Sequence, residues 1–400
     1  MKSNNFAFQR LDSLRGFIQG ILEIGFSVFV LLIAIRWWDA SSVYKGFLVG
    51  GMSIGLLLTP FFNILLHRFK YSEPHIASML MVIVGACLLL AAATHTLFVF
   101  ISVNIIAQIC LSQLPNMMLR VYAGIYDASL RGRKVSLTLA LSTGGGLIAS
   151  YAFGSYLDLE NADYRWIFLW MGSAALFSSY LFWKMRQFYS PIPSSVQVEE
   201  KRNPFSILMK DRTFLKVLIA WMLLGFGAIM TFPLRIEFLS RETAMNLSNQ
   251  QIALIAVVAF FSAKILSTFF WGRIFDEMHF IKLRVILNII MATAILIYFN
   301  CESLIGVLLG SVLAGIGMGG ANLAWNLWVT KLAPSGKVKD YMSIHMSFTG
   351  VRGFFAPFAG YWVESKIGFD GVSILSATMI IISGLIFMNC IAEKRFCVSK

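Results

Sequence analysis

Residues 75–94, HIASMLMVIVGACLLLAAAT, show the feature that decides this fold. The run contains no Asp, Glu, Lys or Arg, and an apolar helix of about 20 residues crosses the hydrocarbon core of a bilayer. Comparable stretches cover residues 15–37, 44–66, 75–94, 97–119, 134–157, 166–185, 214–236, 249–272, 283–300, 303–326, 340–363 and 371–392. The pattern predicts an all-α integral membrane protein with twelve transmembrane helices.

The composition is that of a membrane protein. The chain is 58% hydrophobic and 13% charged, whereas soluble domains carry about 25% charged residues. Its net charge of +13 is spread over many loops, so we expect no nucleic-acid partner. The first fourteen residues are polar and lead into a full-length span, so no cleavable signal is expected. The five cysteines are scattered without metal-site or disulfide spacing, and no metal or cofactor is expected.

Most of the 33 Lys and Arg residues lie in alternate polar segments between the apolar stretches. Cytoplasmic loops carry an excess of such cations. The segments on the cation-rich side include both ends of the chain and the stretch around Lys201. We therefore expect a multi-pass protein of the cytoplasmic (inner) membrane, with its N and C termini in the cytoplasm.

The chain divides into two halves at its longest polar stretch, residues 187–213. We predict a six-helix bundle over 1–186, a cytoplasmic linker over 187–213, and a second six-helix bundle over 214–400. The halves also match weakly in one gap-free register, in which Asn116 falls on Asn322 and Asp158 falls on Glu364. Because both halves begin on the same side, the pattern indicates a parallel pseudo-repeat about an axis along the membrane normal.

With twelve spans, a six-plus-six repeat and a basic middle loop, the chain resembles the major facilitator superfamily (MFS) over essentially its whole length. That family carries Gly-x-x-x-Asp-Arg-x-Gly-Arg-Arg after the second span of each half. Residues 272–277, GRIFDE, keep Gly272 and Asp276 but place an acid where a cation is usual, and the first half lacks the Asp. Arg120 and Gly124 match the fourth-span Arg-x-x-x-Gly motif. The resemblance implies an MFS-like transporter in which Gly272, Asp276 and Arg120 serve the gates.

Three charged residues lie inside predicted spans: Glu23, Lys264 and Arg352. At 1.5 Å per residue, Arg352 and Lys264 lie near mid-depth, where a lone charge costs roughly 2.5–3.5 kcal/mol. Two buried cations and one acid suit a solute with a carboxylate or another anionic group, which an Arg can bind with two hydrogen bonds. Glu23 is a candidate proton carrier. The structural alternative makes Glu23 the counter-ion of Lys264 or Arg352.

Uncharged polar residues in the spans extend the candidate substrate path. They are Gln19, Gln108, Asn322, Asn326 and His345. Asn322 and Asn326 share a helix face, as residues four apart do. For each Asn or Gln the alternative is a hydrogen bond between helices, and for His345 the alternative is simple packing.

The sequence therefore predicts a monomeric secondary transporter, in contact with membrane lipids, that moves a small organic solute with an anionic group by alternating access, with protons as a possible coupling ion. The main alternative is an exporter of lipophilic drugs or a flippase of lysolipids. A membrane-embedded enzyme is disfavoured because no catalytic motif occurs in the sequence. A sensor that has lost transport activity is the remaining alternative.

Overall fold

The computed structural model describes residues 2–68, 71–189, 206–334, 337–393 and 395, and within them every regular element is a helix. The chain divides into two compact units. Unit 1 comprises Met1–Gln197 and Ser248–Ala253, and unit 2 comprises Val198–Leu247 and Leu254–Lys400. Most of the predicted linker, residues 190–205, lies outside the described residues.

Unit 1 contains long helices of transmembrane length. They are α1 (Lys2–Ile24), which continues through a π-helical segment (Gly25–Phe29) into α2 (Val30–Arg36), α3 (Ser42–Arg68), α4 (Glu73–Ala93), α5 (Leu97–Ile125), α6 (Ala128–Leu157) and α7 (Arg165–Met185). The short helix α10 (Asn249–Ala253) also belongs to unit 1.

Unit 2 begins with the short helix α8 (Ser206–Lys210) and then repeats the architecture of long helices. They are α9 (Arg212–Ser240), α11 (Phe260–Glu277), which follows the π-helical segment Leu254–Ala259, α12 (Phe280–Asn300), α13 (Leu304–Leu332) and α14 (Val338–Met388).

The described part of the chain has eleven helices long and apolar enough to cross a membrane. The last of them, Asp340–Met388, is 49 residues long, about twice the length that a bilayer core requires. Gly368 interrupts it with φ 70°, a backbone region that glycine adopts without strain. The break turns α14 into two spans, and the predicted twelve-helix fold is confirmed.

Two expectations about cations are wrong. The sequence pattern counts Arg235 and Arg284, at the ends of the predicted spans 214–236 and 283–300, among the loop cations. In the structure Arg235 lies within α9 and Arg284 within α12, and both side chains are buried. The predicted ninth span, 283–300, begins three residues too late, since α12 starts at Phe280.

Unit 1 is held together near the start of α1 by a buried polar network around Asp12, a residue expected to lie in a polar leader. The Asp12 carboxylate accepts hydrogen bonds from Arg15 Nε (2.9 Å), Tyr122 OH (3.1 Å) and Thr138 Oγ1 (2.7 Å). Arg15 also donates to Tyr122. Asp12 is fully buried, so this network ties α1 to α5 and α6 through a charge that is fully paired.

The segment Ser248–Ala253 is fixed in unit 1 by Asp158 at the end of α6. The Asp158 carboxylate accepts from the backbone N–H groups of Asn249 and Gln250, both at 2.8 Å. Arg36 in turn donates to the Asn249 side chain at 2.6 Å. A carboxylate at the first turn of a helix satisfies N–H groups that lack a partner within the helix.

Unit 2 has a polar clasp at the start of α9. Asp211 accepts hydrogen bonds from Arg395 (2.8 Å), from Tyr341 (2.9 Å) and from the backbone N–H of Phe214 (3.0 Å). Burial alone would raise the pKa of Asp211, but these three donors outweigh it and hold the pKa below its usual value.

This clasp gives a pH prediction. A carboxylate whose pKa is lowered by folding stabilises the fold above its unfolded pKa of about 4, and the contribution is lost as pH falls through the folded value. We expect Asp211→Asn to lower the melting temperature at pH 7, and the difference from wild type to shrink as the pH falls through the lowered pKa of Asp211. Thermal melts between pH 3 and 7 measure this, with the exposed Asp370→Asn as the matched control. The same difference in melting temperature between variant and wild type at every pH would contradict this prediction.

Candidate solute-binding site

Unit 2 has a cavity of about 250 Å³ among helices α9, α12, α13 and α14. Its size lies just below the range of about 300–1,000 Å³ that is typical of small-molecule sites. The lining residues are Trp221, Leu224, Gly225, Ala228, Ile229, Phe232, Arg284, Met291, Met318, Ala321, Asn322, Trp325, Thr349 and Arg352. The wall is thus mainly apolar and includes two guanidinium groups. Two of the predicted site residues, Arg352 and Asn322, lie on it.

Arg352 reaches the cavity from α14 and is 7% exposed. Its Nη1 donates to the backbone carbonyl of Trp221 on α9 at 2.5 Å. Gly225, one turn further along α9, makes room for the side chain. A Cβ atom at this glycine would lie 2.0 Å from Arg352 Nη1 and 2.2 Å from Cζ, so only glycine leaves the guanidinium in place.

Arg284 is the functional candidate that sequence reasoning missed. It is 1% exposed, its Nε donates to Asn288 Oδ1 at 2.9 Å, and its Cζ lies 5.0 Å from the centroid of the Trp221 ring. A signal was available in the sequence. Arg284, Asn288 and Met291 follow the spacing of one helix face, which places the arginine on the same side of the span as two residues that the structure buries.

Several residues that line the cavity carry buried hydrogen-bond donors without a partner. Within the described part of the structure, Arg284 Nη1, Arg352 Nε, Trp221 Nε1 and Thr349 Oγ1 are buried without a hydrogen bond. No acidic side chain is among the described lining residues. Buried donors are almost always satisfied in native proteins, and a buried charge without a partner is costly. A ligand with several acceptor oxygens would satisfy both requirements.

His345 lies behind this wall on α14 and is fully buried. Its ring centroid is 5.9 Å from Trp221, 5.3 Å from Trp325 and 5.1 Å from Trp328. Neither ring nitrogen has a hydrogen-bond partner among the described groups. The structure therefore places His345 against two residues that line the cavity, rather than on the cavity surface itself.

The other predicted site residues of unit 2 have different surroundings. Lys264 is half-buried on α11, with its Nζ 5.3 Å from the centroid of the Phe261 ring, and it is not a lining residue of the cavity. Its backbone lies against Gly315 and Gly319 of α13. The side chain of Asn326 lies outside the described residues.

In unit 1 the predicted site residues fall into two groups. Gln19 and Glu23 are neighbours on α1, where the Gln19 amide donates to the Glu23 carboxylate at 3.4 Å, and Glu23 is exposed. Gln108 is buried on α5 and donates to the Leu48 carbonyl of α3 at 2.8 Å. Its amide thus makes an interhelical hydrogen bond, which was the structural alternative. Pairing of Glu23 with Lys264 or Arg352 stays a prediction.

The residues of the predicted gate motifs lie at helix ends. Gly272 is in α11, where a methyl group in place of its hydrogen would meet no atom within 4 Å. Asp276 lies one turn later, with its side chain outside the described residues. Arg120 on α5 is partly exposed and its Nε lies 3.6 Å from the Glu73 carboxylate. That ion pair joins α5 to the first turn of α4.

Residues 238–396 match the family model of the Major Facilitator Superfamily. The chain is also similar in structure to the nucleoside transporter NupG, with 14% identity over 97% of this chain and 100% of NupG and a TM-score of 0.74. The family match lies in the second half of the chain, and the structural likeness shows that the chain has the fold of a transporter. A D-xylose-proton symporter (15% identity, 96% of this chain and 97% of that one, TM-score 0.73) has the same fold. So has a POT family transporter in complex with a peptide conjugate (11%, 96% of each chain, TM-score 0.75).

No curated protein sequence matches the chain. These three structural likenesses are at or below 15% identity, and they show the fold alone. The resemblance to the major facilitator superfamily predicted from the sequence agrees with the family match over residues 238–396 and with the fold of these transporters. The nature of the solute has to be argued from this chain's own cavity.

Proposed function

We propose that this transporter moves a small organic solute with an anionic group, and that the solute's anion binds in the unit 2 cavity beside Arg352. The observation that carries the proposal is the pair of buried guanidinium groups without a carboxylate partner among the described residues. Charge-assisted hydrogen bonds from Arg to an oxyanion are short, strong and often bidentate. The apolar wall would receive the rest of the solute.

Alternating access is the mechanism that the resemblance to major facilitator transporters supports. Two six-helix bundles, over 1–186 and 214–400, would move as bodies joined by the linker 187–213 in a cytoplasmic membrane. Glu23 is the proposed proton carrier because it is a carboxylate on α1 with a polar neighbour, Gln19, one turn away. A monomer is sufficient for this cycle.

The alternative substrate is a lipophilic drug or a lysolipid, and transport of such a molecule would not require a cationic site. A neutral apolar ligand would fill the cavity but leave the Arg284 and Arg352 donors without acceptors. Burying a donor without a partner costs about 1–3 kcal/mol, and more for a charged one. The cavity therefore favours the anion over the neutral lipophile.

The proposal is tested with two ligands of one shape, benzoate and benzyl alcohol. We expect benzoate to raise the melting temperature of the purified protein and benzyl alcohol to have no effect, since only a ligand that binds the native state stabilises it. Gly225→Ala should remove the benzoate effect, because its methyl group would push the Arg352 guanidinium out of position.

The control is Gly384→Ala in the same unit, where the new methyl group meets its nearest neighbour, Asn288 Nδ2, at an ordinary 3.6 Å. We expect this variant to respond to benzoate as the wild type does. Stabilisation by benzyl alcohol and not by benzoate would contradict the anion site and favour the lipophilic alternative.

The orientation of the chain gives a separate prediction. Reporter fusions at Lys201 and Lys400 should report the cytoplasm, and fusions at Asn161 and Asn246 the opposite side, because Lys and Arg are concentrated in the segments that contain the first pair. The measurement is paired alkaline phosphatase and fluorescent-protein activity in intact cells. A reporter at Lys201 on the outer side would overturn the proposed topology.

A further inference from the structure

We infer that the solute's anionic group is a phosphomonoester, a dianion with three terminal oxygens, held between Arg284 and Arg352. This inference rests on the proposed function and narrows it to a substrate class. It depends on the second guanidinium, that of Arg284, which the anion proposal alone does not require. It also depends on the unpaired groups of the lining residues being hydrogen-bond donors.

The first argument is charge. Arg284 and Arg352 line one cavity of about 250 Å³, and neither has an ion pair among the described residues. Arg284 has one hydrogen-bond acceptor, the neutral Asn288 side chain, and Arg352 has one, the Trp221 carbonyl. A monoanion would neutralise one of the two charges and leave the other buried and uncompensated. A phosphomonoester carries a charge of about −1.5 to −2 at pH 7 and compensates both.

The second argument is hydrogen bonding. Guanidinium and indole N–H groups are donors only, with no capacity to accept. Three unpaired donors belong to residues that line the cavity: Arg284 Nη1 and Arg352 Nε on guanidinium groups, and Trp221 Nε1 on an indole. The complementary ligand group therefore offers acceptors in several directions from one centre. A phosphoryl group has three such oxygens, whereas a carboxylate has two, both in one plane.

The third argument is the remainder of the cavity. Away from the guanidinium groups its wall is built from Phe232, Met291, Met318 and Trp325. Methionine side chains adapt to irregular ligands and contact aromatic rings favourably. The small volume suits a compact organic body, so the substrate class is a small apolar or aromatic phosphomonoester, rather than inorganic phosphate.

The test uses ligands that differ in charge on one aromatic body: phenyl phosphate, phenyl sulfate and benzyl alcohol. We expect phenyl phosphate to bind the purified wild-type protein at least about tenfold more tightly than phenyl sulfate at pH 7.5, measured by titration calorimetry. Benzyl alcohol should not bind. Since the second ionisation of a phosphomonoester lies near pH 6, phenyl phosphate should lose about tenfold in affinity at pH 5 and phenyl sulfate should not.

Phenyl sulfate is also the control for a change in the protonation of the protein itself between pH 7.5 and pH 5. The charged or titratable groups on or directly behind the described wall are Arg284 on α12 and Arg352 and His345 on α14. A change in His345 would alter the affinity for both anions. Only the second ionisation of phosphate separates the two ligands.

Arg284 supplies the matched variants. In Arg284→Gln the preference for phosphate over sulfate should fall to within about threefold, while binding of phenyl sulfate persists through Arg352. Arg284→Lys should retain the preference and its pH dependence, because the charge is kept. If Arg284→Gln does not fold, the pH series on the wild type still decides the matter.

The outcomes separate the two levels of the argument. Equal binding of phenyl phosphate and phenyl sulfate, or tighter binding of the dicarboxylate phthalate, would overturn the phosphomonoester and leave the anion site standing. Failure of every anion to bind would overturn the proposed function as well. Hexadecyl phosphate in the detergent micelle distinguishes the source: tighter binding than phenyl phosphate would show a lipid phosphomonoester, and weaker binding a soluble one.

Discussion

Arg352→Ala is expected to weaken binding of an anionic ligand by at least about 100-fold. The guanidinium is buried beside an apolar cavity, where a charge-assisted hydrogen bond contributes about 1.5–3 kcal/mol and two such bonds can form with one oxyanion. A loss of about 2.8 kcal/mol or more corresponds to about 100-fold in affinity, at about 1.4 kcal/mol for each factor of ten. Titration of the purified variant with benzoate and with phenyl phosphate measures it.

Arg352→Lys separates charge from geometry in this prediction. Lysine keeps the positive charge but lacks the planar fork that presents two N–H groups to one anion. We expect it to recover part of the affinity lost in the alanine variant, and the hydrogen bond to the Trp221 carbonyl to be disturbed. Full recovery would mean that a point charge is all the site requires.

Lys264→Met is the control for a general effect of removing a cation from unit 2. Lys264 lies outside the cavity lining, so this variant should bind the anion as the wild type does.

The structural alternative, in which Arg352 only neutralises Glu23, predicts a different result. If Arg352 acts only as the counter-ion of Glu23, the double variant Glu23→Gln with Arg352→Gln should regain both stability and transport, and that result would remove Arg352 from the site.

The fold could be predicted because the features that specify it can be read along the sequence. Apolar stretches of transmembrane length and their spacing are properties of the sequence, and a bilayer admits few ways to satisfy the backbone of such stretches. Even the break at Gly368 was anticipated as a loop between two spans. The helix ends were less predictable, because helices extend beyond the apolar core until capping groups such as Asp211 stop them.

The site was predicted only in part. Arg352 and Asn322 were identified, since a polar group in an apolar run is visible in the sequence. Arg284 was missed because it stands at the edge of its run, two residues after Lys282, where a loop cation is the ordinary interpretation. Its burial follows from packing of α12 against α9 and α14, which involves residues far apart in the sequence. Tertiary contacts of this kind leave no local pattern.

Hydrogen bonding of amide side chains shows the same limit. Gln108 and Gln113 on α5 have similar surroundings in sequence, and both donate to backbone carbonyls of α3, at Leu48 and Gly55. A polar side chain in a span therefore has two explanations, a solute path or an interhelical bond, and the choice depends on which carbonyl lies opposite. Sequence spacing alone does not specify that neighbour.

Asp12→Ala is expected to cause the largest loss of stability in unit 1, about 3–5 kcal/mol, the usual cost of breaking a buried ion pair by removing one partner. The substitution leaves the buried Arg15 guanidinium without its carboxylate, at present 2.8 Å away. It also removes the acceptor for Tyr122 OH and Thr138 Oγ1. The measurement is denaturant or thermal unfolding of the purified protein, followed by a probe in unit 1.

The matched control is Glu160→Ala, an exposed acid of the same unit, which should change the free energy of unfolding by less than about 0.5 kcal/mol. A second variant tests the reason for the loss. Asp12→Ala combined with Arg15→Met removes both charges, and replacing a buried ion pair with apolar groups is often neutral. We expect the double variant to recover at least half of the lost stability. If the double variant is no more stable than Asp12→Ala alone, the unpaired Arg15 charge does not cause the loss of stability. The loss then comes from the unsatisfied hydroxyl groups of Tyr122 and Thr138.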